Sequence, residues 1–437
     1  MINQHALWLN FFFPNAILTG MAMGEIFTAP VEQIGAGGAG IARREGKPVF
    51  IGLTAPGDLV AARIVREHPD WAQGELVELI EPSPKRISPA CPLYGTCGGC
   101  ALQHLNYQDQ VEAKAAILRD AFIRIGGFRE VPEIEAHPGP PWEYRNRVQF
   151  HGISRTHANK KSRPVLQNRP APGKKSPVGF KSRKGEELIP IPDCPIADPG
   201  IRELLRTGAV YPPPDRDRFT LYSHKGLILQ EGQQTRGRVH IRGRELLMDA
   251  GVFFQSNALM LEELIGDLLK IAGQADRARP MADIYCGVGT FTFFLGDSFP
   301  RVDLVEENKT ALALARENVR GEANGYFALT DDAWVKMKEG SRQTEPYGLI
   351  VIDPPRQGLS PAMRRWLAHP GGLSSAYPAD TPPLIAYVSC DPATLARDSR
   401  ELLAGGYELA ELGFYDFYPQ TAHIESLALF KKKGGRG

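Results

Sequence analysis

The sequence carries almost no net charge and has no long apolar run. Its 51 Lys and Arg residues balance 50 Asp and Glu residues over 437 positions, so overall charge does not indicate a nucleic-acid binder. The apolar stretch Ala6–Phe13 is interrupted by Asn10, has no basic flank and is too short to span a bilayer. We therefore predict a cytoplasmic protein without membrane contact, in which residues 1–22 form an unstructured extension.

Cysteine is also scarce. Of the six cysteines, Cys91, Cys97 and Cys100 lie within ten residues of each other, and Cys194 follows far downstream in the string DCPI. In a chain without a secretion signal, such a cluster indicates a metal site more readily than disulfides. Four thiolates bind either zinc or an iron–sulfur cluster, so the residues alone leave both metals open.

Acidic residues are absent from one basic segment. Between Arg155 and Lys184 there are ten Lys or Arg residues and no Asp or Glu. The prolines of this segment disfavour regular structure, which predicts a basic loop over residues 155–178. Such a loop is either solvated only or contacts phosphate groups, and the two roles are compatible.

The residues that are present change their pattern along the chain. Residues 23–82 contain short apolar runs separated by turn residues, which predicts a small β-barrel of the kind that presents a surface to RNA. The glycines of Ile34–Ile41 are interpreted as turn residues, because no helix and no Lys-Ser/Thr pair completes a phosphate loop. Residues 83–250, with the clustered cysteines and the basic loop, are predicted as a β-rich central domain.

Residues 251–437 alternate between helical patterns and short apolar strands, which is typical of a doubly wound, Rossmann-like α/β domain. Strands are predicted at Met281–Cys286, Arg301–Glu306, Leu349–Ile352 and Leu384–Ser389. The final run, His423–Phe430, follows the strand-like Glu408–Tyr415 closely, so we expect an antiparallel hairpin that closes the sheet. The predicted fold class is α/β, with a β-barrel and a β-rich segment before the α/β domain.

The first predicted strand of the α/β domain leads into the string DIYCGVG, Asp283–Gly289. Glycines there let the backbone approach a ligand closely. Glu306 ends the next strand, where a carboxylate can accept hydrogen bonds from ribose hydroxyls. The turn lacks the G-x-G-x-x-G spacing, so S-adenosylmethionine suits it better than NAD. Cys286 is interpreted as a packed residue beside the cofactor.

Two further strands end at reactive groups. Asp353 opens DPPRQG, and Cys390 lies in the polar string SCDPATLARD, which a core cysteine would not need. Ligands bind at the carboxyl ends of parallel strands, so we expect both residues in one crevice with Cys286 and Glu306. A thiolate added to carbon 6 of uracil makes carbon 5 nucleophilic, and a base must then remove the carbon 5 proton. Glu425, in HIES, is available as that base, and we expect the pocket to favour the thiolate.

Together these motifs resemble the RNA uracil-5-methyltransferase family that carries an iron–sulfur cluster. The resemblance extends from about Met23 to Phe430, and within the family it is strongest to the bacterial enzymes that act on 23S rRNA and carry an N-terminal TRAM barrel. The matching strings are CPLYGTCGGCALQH, YRNRVQF, DCPI, FFQSN, DIYCGVGTF, DPPRQGL, VSCDPATLARD and PQTAHIE.

The resemblance implies roles for individual residues. It implies that Cys390 is the nucleophile and Glu425 the base. The positions that match the family's cofactor pocket are Gln255, Tyr285, Thr290, Glu306, Asp331 and Asp353. Thr290 stands where relatives often have Asn, and Asp332 is an alternative to Asp331. The positions that match the ligands of a [4Fe–4S] cluster are Cys91, Cys97, Cys100 and Cys194.

The implied enzyme uses S-adenosylmethionine and acts on 23S rRNA, with a tRNA uracil as the alternative substrate; we expect a monomer. A non-catalytic RNA-binding iron–sulfur protein is a hypothesis from another class, and intact Cys390 and Glu425 argue against it. An electron-transfer protein would explain the cysteines but not the cofactor pocket. The resemblance assigns no role to the basic loop and does not identify the methylated nucleotide.

Overall fold

The computed structural model describes residues 23–152, 178–185, 187–321, 323–341, 345–369 and 382–432. The predicted extension, residues 1–22, and residues 155–177 of the predicted basic loop lie outside these ranges. Within the described ranges, no helix is long and apolar enough to cross a membrane.

The N-terminal segment folds as a closed β-barrel with the strand order β1-β2-β3-β5-β4. Its strands are β1 Ile26–Ile34, β2 Gly40–Arg44, β3 Lys47–Ile51, β4 Leu59–Glu67 and β5 Ala72–Glu81. Side chains alternate between the two faces of each strand, and Val49, Ile51 and Val60 are fully buried inside the barrel. The predicted barrel is confirmed, although the sequence analysis missed β2, which directly follows the glycine-rich turn.

The central segment is rich in strands, as predicted. Its elements are α1 Tyr107–Arg124, β6 Ile134–His137, β7 Arg147–Gly152, β8 Val178–Lys181, β9 Leu188–Pro190, α2 Pro199–Arg206, β10 Arg218–His224, β11 Leu227–Gln230, β12 Arg236–Ile241 and β13 Arg244–Asp249. An antiparallel sheet has the order β11-β10-β7-β8-β9, and β12 pairs with β13. Phe150 and Phe219 of this sheet pack against Ile201 of α2.

The C-terminal segment is a doubly wound α/β domain. Its elements are α3 Ala258–Gln274, β14 Met281–Ile284, α4 Thr290–Leu295, β15 Val302–Val305, α5 Lys309–Asn318, β16 Gly325–Phe327, α6 Asp331–Glu339, β17 Leu349–Ile352, α7 Pro361–Ala368, β18 Leu384–Ser389, α8 Pro392–Ala404, β19 Tyr407–Tyr415 and β20 Glu425–Lys432. The sheet has the order β16-β15-β14-β17-β18-β20-β19-β6, and β14 to β18 run parallel. The chain order reverses between β14 and β17, which is the point where ligands bind in such sheets. The predicted α/β class is confirmed.

The last strand, β20, is inserted between two other strands of the sheet. The predicted antiparallel hairpin of β19 and β20 is confirmed, and β20 also pairs antiparallel with β18. The last strand therefore lies between two strands that precede it in the sequence, so its first residue lies next to the end of β18.

Residues 107–137, which the sequence analysis assigned to the central domain, pack on the C-terminal sheet. β6 pairs parallel with β19 at the sheet edge. Leu118 and Phe122 of α1 are buried in the same apolar core as Ile385 of β18. An open edge accepts a strand from any part of the chain, so the sheet extends across the boundary predicted at residue 251.

Candidate active site

Four loops meet at the carboxyl edge of the parallel strands. Glu306 follows β15, and Tyr285 follows β14. Asp353 follows β17, and Cys390 follows β18. Because these four strands are successive neighbours in the sheet, the four residues line one crevice at the switch point. The structure thus brings together strand ends that the sequence predicted to share a crevice.

Cys390 and Glu425 lie beside each other across two antiparallel strands. Ser389 of β18 pairs with Ser426 of β20, so the next step of the register places Cys390 opposite Glu425. The Glu425 side chain belongs to a residue that is only 2% exposed, and its charge acts on the Cys390 thiol. Cys390 and Glu425 are therefore the two residues that adjoin the last pair of this ladder, Ser389 and Ser426.

The crevice of the free protein favours the neutral thiol. Burial raises the pKa of Cys390 above its ordinary value, and the charges of Glu425 and Asp353 raise it further. The Arg356 guanidinium lowers this pKa but does not outweigh the other effects. The expectation that the pocket favours the thiolate is therefore wrong for the free protein, because a buried site beside two carboxyl groups disfavours another negative charge.

Three carboxyl groups in the crevice keep their protons to higher pH than usual. Burial, followed by the charge of Asp283, raises the pKa of Asp353 to about 7. Burial raises the pKa of Asp283 to about 6, although the backbone N–H of Thr292 donates to it at 3.2 Å. Burial and then Asp353 raise the pKa of Glu425, against the opposing effect of Arg356. A site with this excess of carboxyl groups favours a ligand with positive charge.

The loop after β14 has a strained backbone. Tyr285 has a φ of 65°, a conformation that residues other than glycine rarely adopt. At Gly289, where φ is 79°, a Cβ atom would lie 3.1 Å from the Cβ of Ala315, so glycine lets the loop pack closely against α5. This loop is the segment in which the sequence predicts the cofactor pocket.

Glu306 connects the loops after β14 and β15. Its carboxylate accepts hydrogen bonds from the backbone N–H groups of Gly287, at 3.1 Å, and Asn308, at 2.8 Å. Burial raises the pKa of this carboxyl group. Each oxygen accepts one of these bonds, which leaves lone pairs free for the hydroxyl groups of a ribose.

Asp331 lies against Tyr285 at the crevice. The Tyr285 hydroxyl donates to Asp331 at 2.6 Å, and the backbone N–H of Ser360 donates to the same oxygen at 2.9 Å. The alternative residue, Asp332, instead pairs with Lys336 at 2.6 Å on the surface of α6. The geometry therefore favours Asp331 over Asp332 as the residue of the pocket.

Gln255 presents a buried polar atom that is available to a ligand. The residue is 7% exposed, and its Oε1 atom has no hydrogen-bond partner among the described residues. Buried amide oxygens rarely lack a hydrogen-bond partner. The remaining predicted residue, Thr290, is the partly exposed first residue of α4, directly after Gly289.

Two residues beside Cys390 and Glu425 were missed by the sequence analysis. Arg356 donates a hydrogen bond to Nδ1 of His423 at 3.0 Å. Burial, followed by the charge of Arg356, lowers the pKa of His423 to about 3, so its imidazole is neutral and carries the proton on Nε2. Both residues lie in or beside recognised motifs, DPPRQG and HIES, but their contact joins distant parts of the chain and leaves no local signal.

The four clustered cysteines line a separate cavity of about 300 Å³. They are Cys91, Cys97, Cys100 and Cys194, and all are free thiols. Burial raises the pKa of Cys100 to about 11 and that of Cys194 to about 12, so a nearby cation is needed to stabilise their thiolates. In the part of the chain that the structure describes, no group of His, Cys, Asp or Glu side chains is arranged to hold a single metal ion.

Comparison with known proteins identifies relatives over most of the chain. Residues 223–433 match the family model described as tRNA (Uracil-5-)-methyltransferase. An RNA methyltransferase of Treponema denticola, described as uncharacterized, is 31% identical, over 89% of this chain and 95% of its own length. The 23S rRNA (uracil(1939)-C(5))-methyltransferase RlmD of Aeromonas hydrophila is 32% identical, over 90% of this chain and 93% of its own length.

A solved structure has a similar fold. It is the tRNA (uracil-54, C5)-methyltransferase of Pyrococcus abyssi in complex with S-adenosyl-L-homocysteine. The likeness has a TM-score of 0.64 and 22% sequence identity, and it covers 93% of this chain and 100% of that one. At this identity the likeness shows that the two chains share a fold.

Proposed function

Since this chain belongs to the RNA (uracil-5-)-methyltransferase family, we propose that it transfers a methyl group to carbon 5 of a uracil in 23S rRNA. In this proposal Cys390 is the nucleophile and Glu425 is the base. The observation that carries the proposal is the strand register that sets Cys390 opposite Glu425. A thiol and a carboxyl group so placed are the two groups that this chemistry needs.

The favoured substrate is 23S rRNA, and a tRNA uracil is the second candidate. The RlmD relative named as a 23S rRNA enzyme aligns with 90% of this chain. The family model named for tRNA matches residues 223–433 only, so it does not bear on the barrel and most of the central segment. These segments are where we expect the chain to distinguish one RNA from another.

The proposed methyl donor is S-adenosylmethionine, which supplies the methyl group from a sulfonium cation. The excess of carboxyl groups in the crevice suits that charge, and the free lone pairs of Glu306 suit ribose hydroxyls. The free Oε1 atom of Gln255 offers a further acceptor. The residues proposed to bind the donor are Gln255, Tyr285, Thr290, Glu306, Asp331 and Asp353.

Cys390 activates the uracil ring in the proposed reaction. Its thiolate sulfur forms a bond to carbon 6, and the electrons of the 5,6 double bond move onto carbon 5 and the adjacent carbonyl oxygen. Carbon 5 uses this electron pair to accept the methyl group, and the sulfur–methyl bond of the sulfonium breaks and leaves its electrons on the donor's sulfur, which becomes a neutral thioether. The Glu425 carboxylate then removes the carbon 5 proton, the double bond re-forms and the sulfur–carbon bond breaks. Overall, carbon 5 exchanges a proton for a methyl group, and Cys390 is regenerated.

Both catalytic groups must lose a proton before they can act in these roles. Burial raises the pKa of the Cys390 thiol and of the Glu425 carboxyl group in the empty crevice, which opposes the loss of both protons. A positive charge in the crevice lowers both pKa values, because it stabilises the ionised forms. The Arg356 guanidinium already acts in this direction on both groups.

We further propose that the four cysteines hold a [4Fe–4S] cluster that stabilises the central segment, residues 83–250. The four thiols line one cavity of about 300 Å³, and four cysteine thiolates are a ligand set that such a cluster takes. In the same scheme, residues 23–82 are a TRAM-like, RNA-binding barrel and residues 251–437 the methyltransferase domain.

A labelling experiment tests the proposed function. Purified protein is incubated with labelled methyl donor and with separate pools of unmodified rRNA and tRNA, and the methylated nucleotide is mapped. We expect a 5-methylated uracil in 23S rRNA with the unmodified chain and none with Cys390→Ala. Methylation of tRNA alone would transfer the proposal to the second candidate, and no methylated uracil in either pool would contradict it.

A further inference from the structure

The loop that leads into Glu425 is held by contacts from distant parts of the chain. Residues 416–424, here called the base loop, connect β19 to β20, and Glu425 is the first residue of β20. The loop contains neither helix nor strand, so its own backbone hydrogen bonds do not fix it in the way that a ladder fixes a strand. Glu425 is the last ladder residue before the loop, paired with Tyr415 of β19, so the contacts of the base loop act on the side of Glu425 that no strand pairing holds.

The start of the base loop is anchored by Lys114 of α1. The Lys114 ammonium group donates to the Asp416 carboxylate at 2.7 Å and to the carbonyl oxygen of Tyr418 at 3.0 Å. The side chains of Lys114 and Asp416 are both fully buried. A fully buried ion pair is weak evidence for stability, since apolar residues of similar size often stabilise a core as well or better. Its effect here is to fix the geometry of the loop.

The middle of the base loop is anchored by Gln110, one helical turn before Lys114. The Gln110 side chain accepts a hydrogen bond from the backbone N–H of Gln420 at 2.9 Å and donates one to the Gln420 side chain at 2.9 Å. Gln110 also donates to the carbonyl oxygen of Leu105 at 3.0 Å. Gln420 has a φ of 68°, a conformation that surrounding contacts must maintain in a residue other than glycine.

The loop that carries the clustered cysteines contacts the same residue. The backbone N–H groups of Ala101 and Leu102, directly after Cys100, each donate to the carbonyl oxygen of Gln420 at 3.0 Å. Gln420 is thus held on its backbone N–H and side chain by α1 and on its carbonyl group by the cysteine loop. The conformation of the base loop is fixed from both sides.

We propose that Gln110 and Lys114 are positioning residues that hold Glu425 where it can remove the carbon 5 proton. The inference rests on the proposed function and extends it to a helix that does not line the crevice. The base loop is the only covalent path by which β19 leads into Glu425, so a shift at Gln420 moves the start of β20. Proton removal is sensitive to such a shift because the base must stay within hydrogen-bond reach of its proton.

The test compares Gln110→Met with Gln108→Met. Both substitutions replace Gln by a residue of similar length on the same helix, but Gln108 is exposed, and its side chain donates to Glu112 at 3.1 Å on the helix surface. For Gln110→Met we expect kcat to fall roughly 10- to 100-fold, as for a misplaced catalytic group, with donor affinity unchanged by calorimetry. A covalent protein–RNA adduct should accumulate on denaturing gels, because proton removal is the step that is slowed. Gln108→Met should behave like the unmodified chain.

The outcomes separate the inference from the function on which it rests. A folded Gln110→Met protein with the kcat of Gln108→Met would overturn the inference. If Gln110→Met does not fold, Gln110→Glu is used instead. It keeps an oxygen for the Gln420 N–H but loses the two bonds that the amide nitrogen donates to Gln420 and Leu105, so a kcat equal to that of Gln108→Glu would overturn the inference as well. Glu425→Gln is the reference: if that variant forms no adduct, the proposed function itself fails, whatever Gln110→Met does.

Discussion

Replacing Asp353 by Asn should stabilise the donor-free protein at alkaline pH. Asp353 follows β17 and is partly buried, and burial together with the charge of Asp283 raises the pKa of its carboxyl group from 3.8 to about 7. The unfolded chain loses this proton near pH 4, whereas the folded chain keeps it until about pH 7. The unfolded state therefore binds fewer protons between these values, and stability falls as the pH rises through this window. Asn has nearly the same shape and does not titrate, so it should escape that loss.

The expected magnitude follows from the pKa values. At about 1.4 kcal/mol per pKa unit, the full loss between pH 4 and pH 7 is roughly 4 kcal/mol, and the part between pH 5.5 and pH 8 is roughly 2 kcal/mol. Unfolding entropy near 2.1 cal/mol/K per residue gives about 0.9 kcal/mol/K for a chain of this size. If the chain unfolds in one step, the melting temperature of Asp353→Asn minus that of the unmodified chain should therefore be about 2 °C larger at pH 8 than at pH 5.5.

Thermal unfolding without donor, at pH 5.5 and pH 8, measures this difference. Asp332→Asn is the matched control, because that carboxylate is 43% exposed and pairs with Lys336, so no gain on raising the pH is expected. Calorimetry should show weaker donor binding by Asp353→Asn, since the substitution removes a carboxyl group from the proposed pocket. The result that would refute this reasoning is a gain in melting temperature for Asp353→Asn that is equal at both pH values or smaller at pH 8. Ionisation of the Asp353 carboxyl group would then not destabilise the folded protein.

Three further predictions concern the proposed chemistry. Cys390→Ala should abolish methyl transfer and leave donor affinity within about twofold, because the thiol acts on the base; calorimetry that shows lost affinity would place Cys390 in the donor pocket. Glu425→Gln should trap a covalent protein–RNA adduct on a denaturing gel, and normal turnover without such a band would remove Glu425 from its role. Cys97→Ser and Cys194→Ser should each bleach the visible absorption of anaerobically purified protein and lower its melting temperature; a colourless protein with stoichiometric zinc would contradict the cluster.

Most strands of the α/β domain could be predicted from the sequence, two of them with the correct ends, whereas the short edge strand β16 was missed. Strands of a parallel sheet are buried on both faces and therefore appear as short continuous apolar runs. Leu349–Ile352 and Leu384–Ser389 match β17 and β18 residue for residue. Since the reactive groups follow such runs directly, Asp353 and Cys390 could be assigned to one edge of a sheet before any contact was known.

The contacts between distant segments could not be predicted from local patterns. The hairpin of β19 and β20 was expected, but pairing of β20 with β18 is a property of the whole sheet, and it is this pairing that sets Glu425 opposite Cys390. The contact of Arg356 with His423 and the anchoring of Gln420 by Gln110 likewise join residues far apart in the chain. Neither the periodicity of apolar residues nor the spacing of motifs predicts which distant residues will be in contact.

The empty crevice combines groups that disfavour each other's charge. Asp353 raises the pKa of Glu425. Both carboxyl groups raise the pKa of the neighbouring Cys390. Apolar residues at these positions would make a more stable core, but they could not respond to a charged ligand. The same low dielectric that makes a buried carboxylate unfavourable alone strengthens its attraction to a cation. A positive charge that enters the crevice therefore lowers these pKa values together, so in the proposed reaction we expect the thiol and the base to lose their protons more readily once the donor is bound.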